Sequence, residues 1–196
     1  MAPGEVTGAH GEGGAAAQGE AAPGRGPLAR RADAVVEVET ADEMAKAVME
    51  AAAGADVVVM AAVVADYRAA TISPQKMKKS GAPLRLELVP TVDILAELGA
   101  ARRPGQVVVG FAAETATGEE LVRLGRAKLQ AKGADFMVAN EVGSPEAGLG
   151  HDRSRAVIVS RGSTRDLGLV DKRAVASGLV DAVSELLRAQ QGGARA

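Results

Sequence analysis

The chain has 196 residues, no cysteine, two histidines and a formal net charge of −2. That length suits one domain with a sizeable core. The charge excludes a broadly basic nucleic-acid-binding surface, and the lack of cysteine excludes disulfides and thiolate chemistry and fits a reducing cytoplasm. His10 and His151 stand far apart, which argues against a histidine-based metal site. No run reaches the roughly 18–20 apolar residues of a membrane span, so no membrane association is expected.

Residues 1–32, rich in Gly and Ala with acids and no apolar run, read as a disordered tail and not a targeting peptide. Residues 33–190 alternate between strand and helix patterns, and 191–196 read as a flexible end. Ala34–Glu39 (AVVEVE) predicts a short strand. Thr40 then opens a helix, with Glu43 completing a capping box and Gly54 closing it. Asp56–Ala65 (DVVVMAAVVA) is a continuous apolar run, the pattern of a strand buried on both faces. A basic loop carrying Lys76, Lys78 and Lys79 follows, punctuated by Pro74, Ser80 and Gly81. The LRLELV run, Leu84–Val89, alternates like a strand open on one face. Thr91 is a plausible cap for a short helix. Gly105–Glu114 predicts a second buried strand. Thr117 and Glu120 suggest a second capping box, on a helix ending at Gly133. Ala134–Asn140 and Arg155–Ser160 read as strands, and Lys172–Gln190 as an amphipathic helix. This alternation implies an α/β, Rossmann-like, doubly wound and mostly parallel sheet with helices on both faces.

Ligands in such sheets collect beyond the carboxyl ends of the strands. This singles out three strand ends: Ala65-Asp66-Tyr67, Phe111-Ala112-Ala113-Glu114 and Ala139-Asn140-Glu141. Asp66 is either a strand-terminating acid or an acceptor for a ligand hydroxyl or amine. The Lys76–Lys79 cluster is either a solvated loop or a set of point charges for a phosphate or carboxylate. In the helix after Thr117, Lys128 and Lys132 continue a stripe begun by Leu121, Leu124 and Gly125. They either snorkel at the helix end or face an anionic cleft. Phe111 is either a core residue or a platform for a flat base. Neither a G-x-G-x-x-G nor a Walker loop occurs, and no Ser-His-Asp order suggests hydrolysis. The residues alone reach an α/β domain with an anion site.

Five stretches taken together say more: AAVVADYR with KMKK, VPTVDIL, VVGFAAET, AKLQAKGADFMVANEV and DKRAVASGLVDAV. In order and spacing they resemble phosphopantothenoylcysteine synthetase (phosphopantothenate–cysteine ligase), in many bacteria the C-terminal half of a bifunctional coenzyme A biosynthesis protein. The similarity spans about Ala34 to Leu187.

The resemblance implies a cytoplasmic, homodimeric ligase in coenzyme A biosynthesis that uses CTP and Mg2+ (or Mn2+). The carboxylate of 4′-phosphopantothenate would attack the α-phosphate to give an acyl-cytidylate and pyrophosphate, and the amine of cysteine would then displace CMP. It also implies association with a flavin-dependent decarboxylase domain. Carried over residue by residue, Lys76 matches the lysine implicated in forming the acyl-cytidylate. Asp66, Lys76, Lys79, Val89, Pro90, Thr91, Val92, Asp93, Phe111, Lys128 and Lys132 match nucleotide-binding positions, and Asn140 matches a substrate-side strand end. Metal ligands are not implied. The family's initial Gly-rich turn and N-x-S-S-G motif do not occur in the sequence. Val92, Leu149 and Ser154 replace its usual Pro, Phe and Asn. A ligase domain without its first βαβ portion is therefore expected, the alternative being a non-catalytic nucleotide-binding or dimerising remnant.

Overall fold

The computed structural model describes residues 33–62, 64–79, 81, 83–143 and 151–193. The tail 1–32, Ser80, Leu149 and the end 194–196 lie outside the described residues. All helices and strands belong to the unit Glu37–Ala196.

The first helix, α1 (Ala41–Ala52), starts as its sequence requires. The Glu43 amide donates to Thr40 Oγ1, and Glu43 Oε2 accepts from the Thr40 and Glu39 amides at 3.2 and 2.8 Å. These bonds satisfy donors that the helix cannot, and they hold the Glu43 carboxyl below its ordinary range, the Glu39 amide contributing most. The segment before it is a correction. Ala34–Val38 forms no strand, and Val35, Val36 and Val38 are exposed. Alternating Val and Glu favours an extended chain, but without a neighbouring strand there is no ladder to join.

The central sheet has the order β1 (Val57–Met60), β4 (Val107–Glu114), β5 (Phe136–Glu141), β6 (Arg153–Ser160), β7 (Thr164–Asp171). Strands β1, β4 and β5 are parallel. Strand β6 is antiparallel to both neighbours, so β7 points the same way as the first three. Four of five strands therefore share one direction, the mostly parallel sheet that the alternation predicts. A second, two-stranded antiparallel sheet joins β2 (Tyr67–Ala69) to β3 (Leu88–Pro90).

Several expectations need correction. The ten-residue apolar run is not a strand buried on both faces. Only four residues pair, all with β4, and Val59 of this edge strand is 47% exposed. Beyond Met60 the chain leaves the sheet to reach Asp66. The LRLELV run pairs only at its end, in β3. Strand β7 carries no clean apolar alternation, and its existence rests on pairing with β6 after a turn at Ser160–Ser163.

Helix α2 (Ile94–Ala101) is capped by Asp93, whose Oδ1 accepts from the Ala96 amide at 3.0 Å. Thr91 is not the cap; its hydroxyl donates to the Ala65 carbonyl. Helix α3 (Gly118–Lys132) follows Thr117, but no capping box forms. Thr117 makes no side-chain cap bond, and Glu120 instead accepts two hydrogen bonds from Arg123. Gly133 ends α3 in the left-handed conformation at φ 63°, as its sequence position predicts. Helix α4 (Lys172–Gly193) runs beyond Gln190.

Two apolar layers sandwich the sheet. On one face, Val108, Ala112, Met137, Ala139, Val157 and Val159 meet residues of α1, α2 and α3, among them Ala45, Leu98, Leu121 and Leu129. On the other, Val107, Val109, Phe136, Val138 and Ile158 meet Val175, Leu179 and Val183 of α4. Alternate β4 residues feed opposite layers, so both faces must be covered. The inward stripe of α3 is Leu121, Gly125 and Leu129; Lys128 and Lys132 flank it and do not continue it.

Two glycines set close spacings between α3 and its neighbours. A Cβ on Gly99 would lie 1.9 Å from the Lys132 carbonyl oxygen, so the backbones of α2 and α3 touch there. A Cβ on Gly125 would lie 3.0 Å from the Ala139 Cβ, which lets α3 sit close against β5.

Candidate functional site

A cavity of about 240 Å³ opens at the carboxyl end of the parallel strands. Met60 closes β1 on one side and Phe111 of β4 stands on the other. Asp66, Thr91, Val92 and Asp93 enter from the segment between the strands, and Lys132 from α3. Apolar residues Val64, Ile94 and Leu95 complete the walls. The rim thus carries two acids, one lysine and one aromatic ring on an otherwise apolar pocket, a pattern typical of small-molecule sites.

The geometry follows from local chemistry. The Thr91 amide donates to the Asp66 carbonyl at 2.9 Å, and with the Thr91 hydroxyl on Ala65 this pins the two ends of the β2–β3 excursion together. Asp66 and Thr91 therefore reach the cleft side by side although the basic loop separates them. Asp93 does two jobs: Oδ1 caps α2 and Oδ2 accepts from Lys132 Nζ. Partial burial pushes the Asp93 carboxyl up, but the Lys132 hydrogen bond, the Ala96 amide and the Lys132 charge outweigh it and hold the group below its ordinary 3.8.

One turn earlier on α3, Lys128 Nζ lies 2.8 Å from Glu114 Oε1 at the end of β4. This oxygen is sealed from solvent, and the Lys128 ammonium is the charge set against it. Glu114 stands in register with Glu141 of β5, whose Oε2 is 3.2 Å from Arg155 Nε on β6.

Of the residues singled out by sequence, Asp66, Thr91, Val92, Asp93, Phe111 and Lys132 meet in the cavity. Val89 and Pro90 lie in β3 opposite Arg68 and Tyr67, outside its lining. Lys76 and Lys79 are exposed on the basic loop and do not line it. Asn140, half-buried, sits near the end of β5 between Ala113 and Ala156. Ser154 is buried in β6. Sequence reasoning missed the dual role of Asp93 and the pinning bonds of Thr91. The only signal for the first was an acid immediately before an apolar helix run. Among the described residues no group of three or more His, Asp or Glu side chains could hold a metal ion, and no helix is long and apolar enough to cross a membrane.

The chain matches the family described as the DNA/pantothenate metabolism flavoprotein C-terminal domain over residues 21–187. It is 40% identical over 161 residues to the coenzyme A biosynthesis bifunctional protein CoaBC of Mycobacterium tuberculosis (strain H37Rv), covering 78% of this chain and 38% of that protein. A protein named cysteine/cysteine sulfinic acid decarboxylase, from an unknown prokaryotic organism, is 36% identical over 132 residues, covering 67% of this chain and 36% of that one. The chain thus spans little more than a third of the length of these relatives. Among solved structures, the crystal structure of the C-terminal domain of CoaBC superposes with a TM-score of 0.60 at 32% identity, covering 78% of this chain and 67% of that one. The chain belongs to the DNA/pantothenate metabolism flavoprotein C-terminal domain family, that of the phosphopantothenoylcysteine synthetase domain its motifs resemble.

Proposed function

We propose that this chain is a carboxylate-activating ligase domain that joins 4′-phosphopantothenate to L-cysteine in coenzyme A biosynthesis, with CTP as co-substrate. The observation that carries the reading is the cavity itself. Residues from β1, the Asp66 turn, the Thr91–Asp93 segment, β4 and α3 converge there, and six of them are positions the resemblance gives to the nucleotide.

In this reading the base stacks beside Phe111, and Asp66 accepts from a sugar hydroxyl or a base amine. Lys132 and Lys128 face the phosphates. A substrate carboxylate oxygen attacks the α-phosphorus and pyrophosphate leaves. Lys76, swinging in from the exposed loop, neutralises charge gathering on the non-bridging oxygens. The cysteine amine then attacks the acyl carbon, CMP departs, and the ammonium proton is lost as the amide forms. Much of the difficulty is bringing several anions together, which is lysine's task as a point charge.

A divalent ion would supply further charge neutralisation on the phosphates. With Asp66 given to the sugar or base, none of the described residues is assigned to that ion. Asp93 is committed to Lys132 and the Ala96 amide.

The test is pyrophosphate release from CTP, 4′-phosphopantothenate and Mg2+, followed by addition of cysteine. Release that depends on phosphopantothenate, with amide formed after cysteine, supports the reading. No pyrophosphate at any protein concentration defeats it for this chain and leaves the non-catalytic alternative.

A further inference from the structure

Glu114 is the one described buried side-chain oxygen bearer without a hydrogen-bond partner. Its side chain is 16% exposed, and its Oε1 is sealed from solvent. A bare buried carboxylate oxygen is costly, so its retention calls for a reason. Among the described residues its ion-pair partner is the Lys128 ammonium, 2.8 Å away. The lysine is therefore held by this ion pair, and two of its three N–H donors remain for another partner. Asp93 holds Lys132 in the same way, one turn further along the helix. On the far side of Glu114, the in-register Glu141 is matched by Arg155, so its charge does not compete for Lys128.

We infer that Glu114 is a positioning residue: it fixes the Lys128 ammonium at the carboxyl end of β4 with two donors free for a phosphate. The inference rests on the nucleotide reading above and assigns a role to a residue outside the cavity lining. The arrangement suits an anion, because one acid fixes the ammonium and leaves donors over. A phosphate can accept from Lys128 without breaking an existing bond, and Glu114 keeps the long side chain from spending rotamer entropy on arrival.

The experiment measures KM for CTP and KM for cysteine in the wild type, Glu114→Gln, Lys128→Gln and the double variant, with Glu120→Gln as control. Glu120 pairs with Arg123 on the exposed side of the same helix. Glu114→Gln is expected to raise the CTP KM about tenfold and leave the cysteine KM unchanged. The double variant should be no worse than Lys128→Gln, because Glu114 acts only through that lysine. Glu120→Gln should change neither constant.

An unchanged CTP KM in Glu114→Gln, or losses that add in the double variant, overturns the assignment while the wild type still turns over. A wild type that neither binds CTP nor releases pyrophosphate defeats the ligase reading itself, and the positioning role falls with it. Melting temperatures of the four variants identify loss of fold. If Glu114→Gln does not fold, Glu114→Asp, which keeps the charge but shortens its reach, is expected to raise the CTP KM in the same direction. A normal KM there overturns the inference equally.

Discussion

The two walls of the cleft are built differently. On the β4–β5–α3 side, Val107, Val108, Val109, Val138 and Val159 are fully buried, and the acids Glu114 and Glu141 are largely enclosed, each paired with a half-exposed base. On the other side, the excursion from Asp66 to Pro90 has a two-stranded ladder of three residues per strand, and Ile72, Met77, Leu84 and Leu86 lie in the open. One wall is fixed by packing. The other is tied, among the described residues, by the Thr91 bonds to Ala65 and Asp66, its own short ladder and an exposed Arg68–Asp42 pair. On the proposed reading, a site that admits three substrates and then excludes water gains from one wall that holds groups in place and another that is loosely packed.

Substitutions can break or sharpen this contrast. Gly99→Ala places a Cβ against the Lys132 carbonyl, a backbone atom that cannot step aside. It should cost about 4 kcal/mol, read by chemical denaturation, and a stable Gly99→Ala variant would show that the two helices can separate. Leu129→Ala empties a 2% exposed site in the same wall and should cost about 3 kcal/mol. A loss near zero there would mean that α3 is not clamped to the sheet.

Asp93→Ala removes a helix cap and the partner of Lys132, with an expected loss of about 1 kcal/mol near neutral pH. Because the folded carboxyl titrates below its ordinary 3.8, its contribution is fully present above that pH and fades as pH falls through the lower folded value. The difference between wild type and variant should therefore shrink only in acid, and a gap unchanged at low pH would contradict the ion pair.

At the small end, Leu84→Ser and Lys76→Gln on the open wall should each shift stability by less than about 0.5 kcal/mol. Lys76→Gln should nonetheless abolish acyl-cytidylate formation. Normal activity in that variant would remove the loop from the chemistry.

How far the sequence could be read follows the same division. The packed wall was legible because its periods are set by burial. The run Val107–Glu114 and the helix ending at Gly133 lie where pattern and punctuation predict. The open wall was not, because an apolar run such as Val57–Ala65 reads as one long strand whether or not a partner exists, and pairing is decided by residues far away in the chain. Strand β7 was invisible for the same reason, since its place depends on β6 more than on its own residues. At the site, six residues carried over by resemblance share a cavity, but composition could not reveal that Asp93 serves both a helix and a lysine. Nor could spacing show that Glu114 at the end of β4 meets Lys128 of α3, because that depends on how the helix packs on the strand.

The contact between Gly99 and the Lys132 carbonyl has a mechanical consequence. It joins α2 and α3 as a hinge-free bracket, with Asp93 at one end of the first helix and Lys132 at the end of the second. A bracket transmits force without changing its own angle. The two helix backbones cannot slide past one another there, so the wall of the cleft that carries this acid and this lysine moves as one piece.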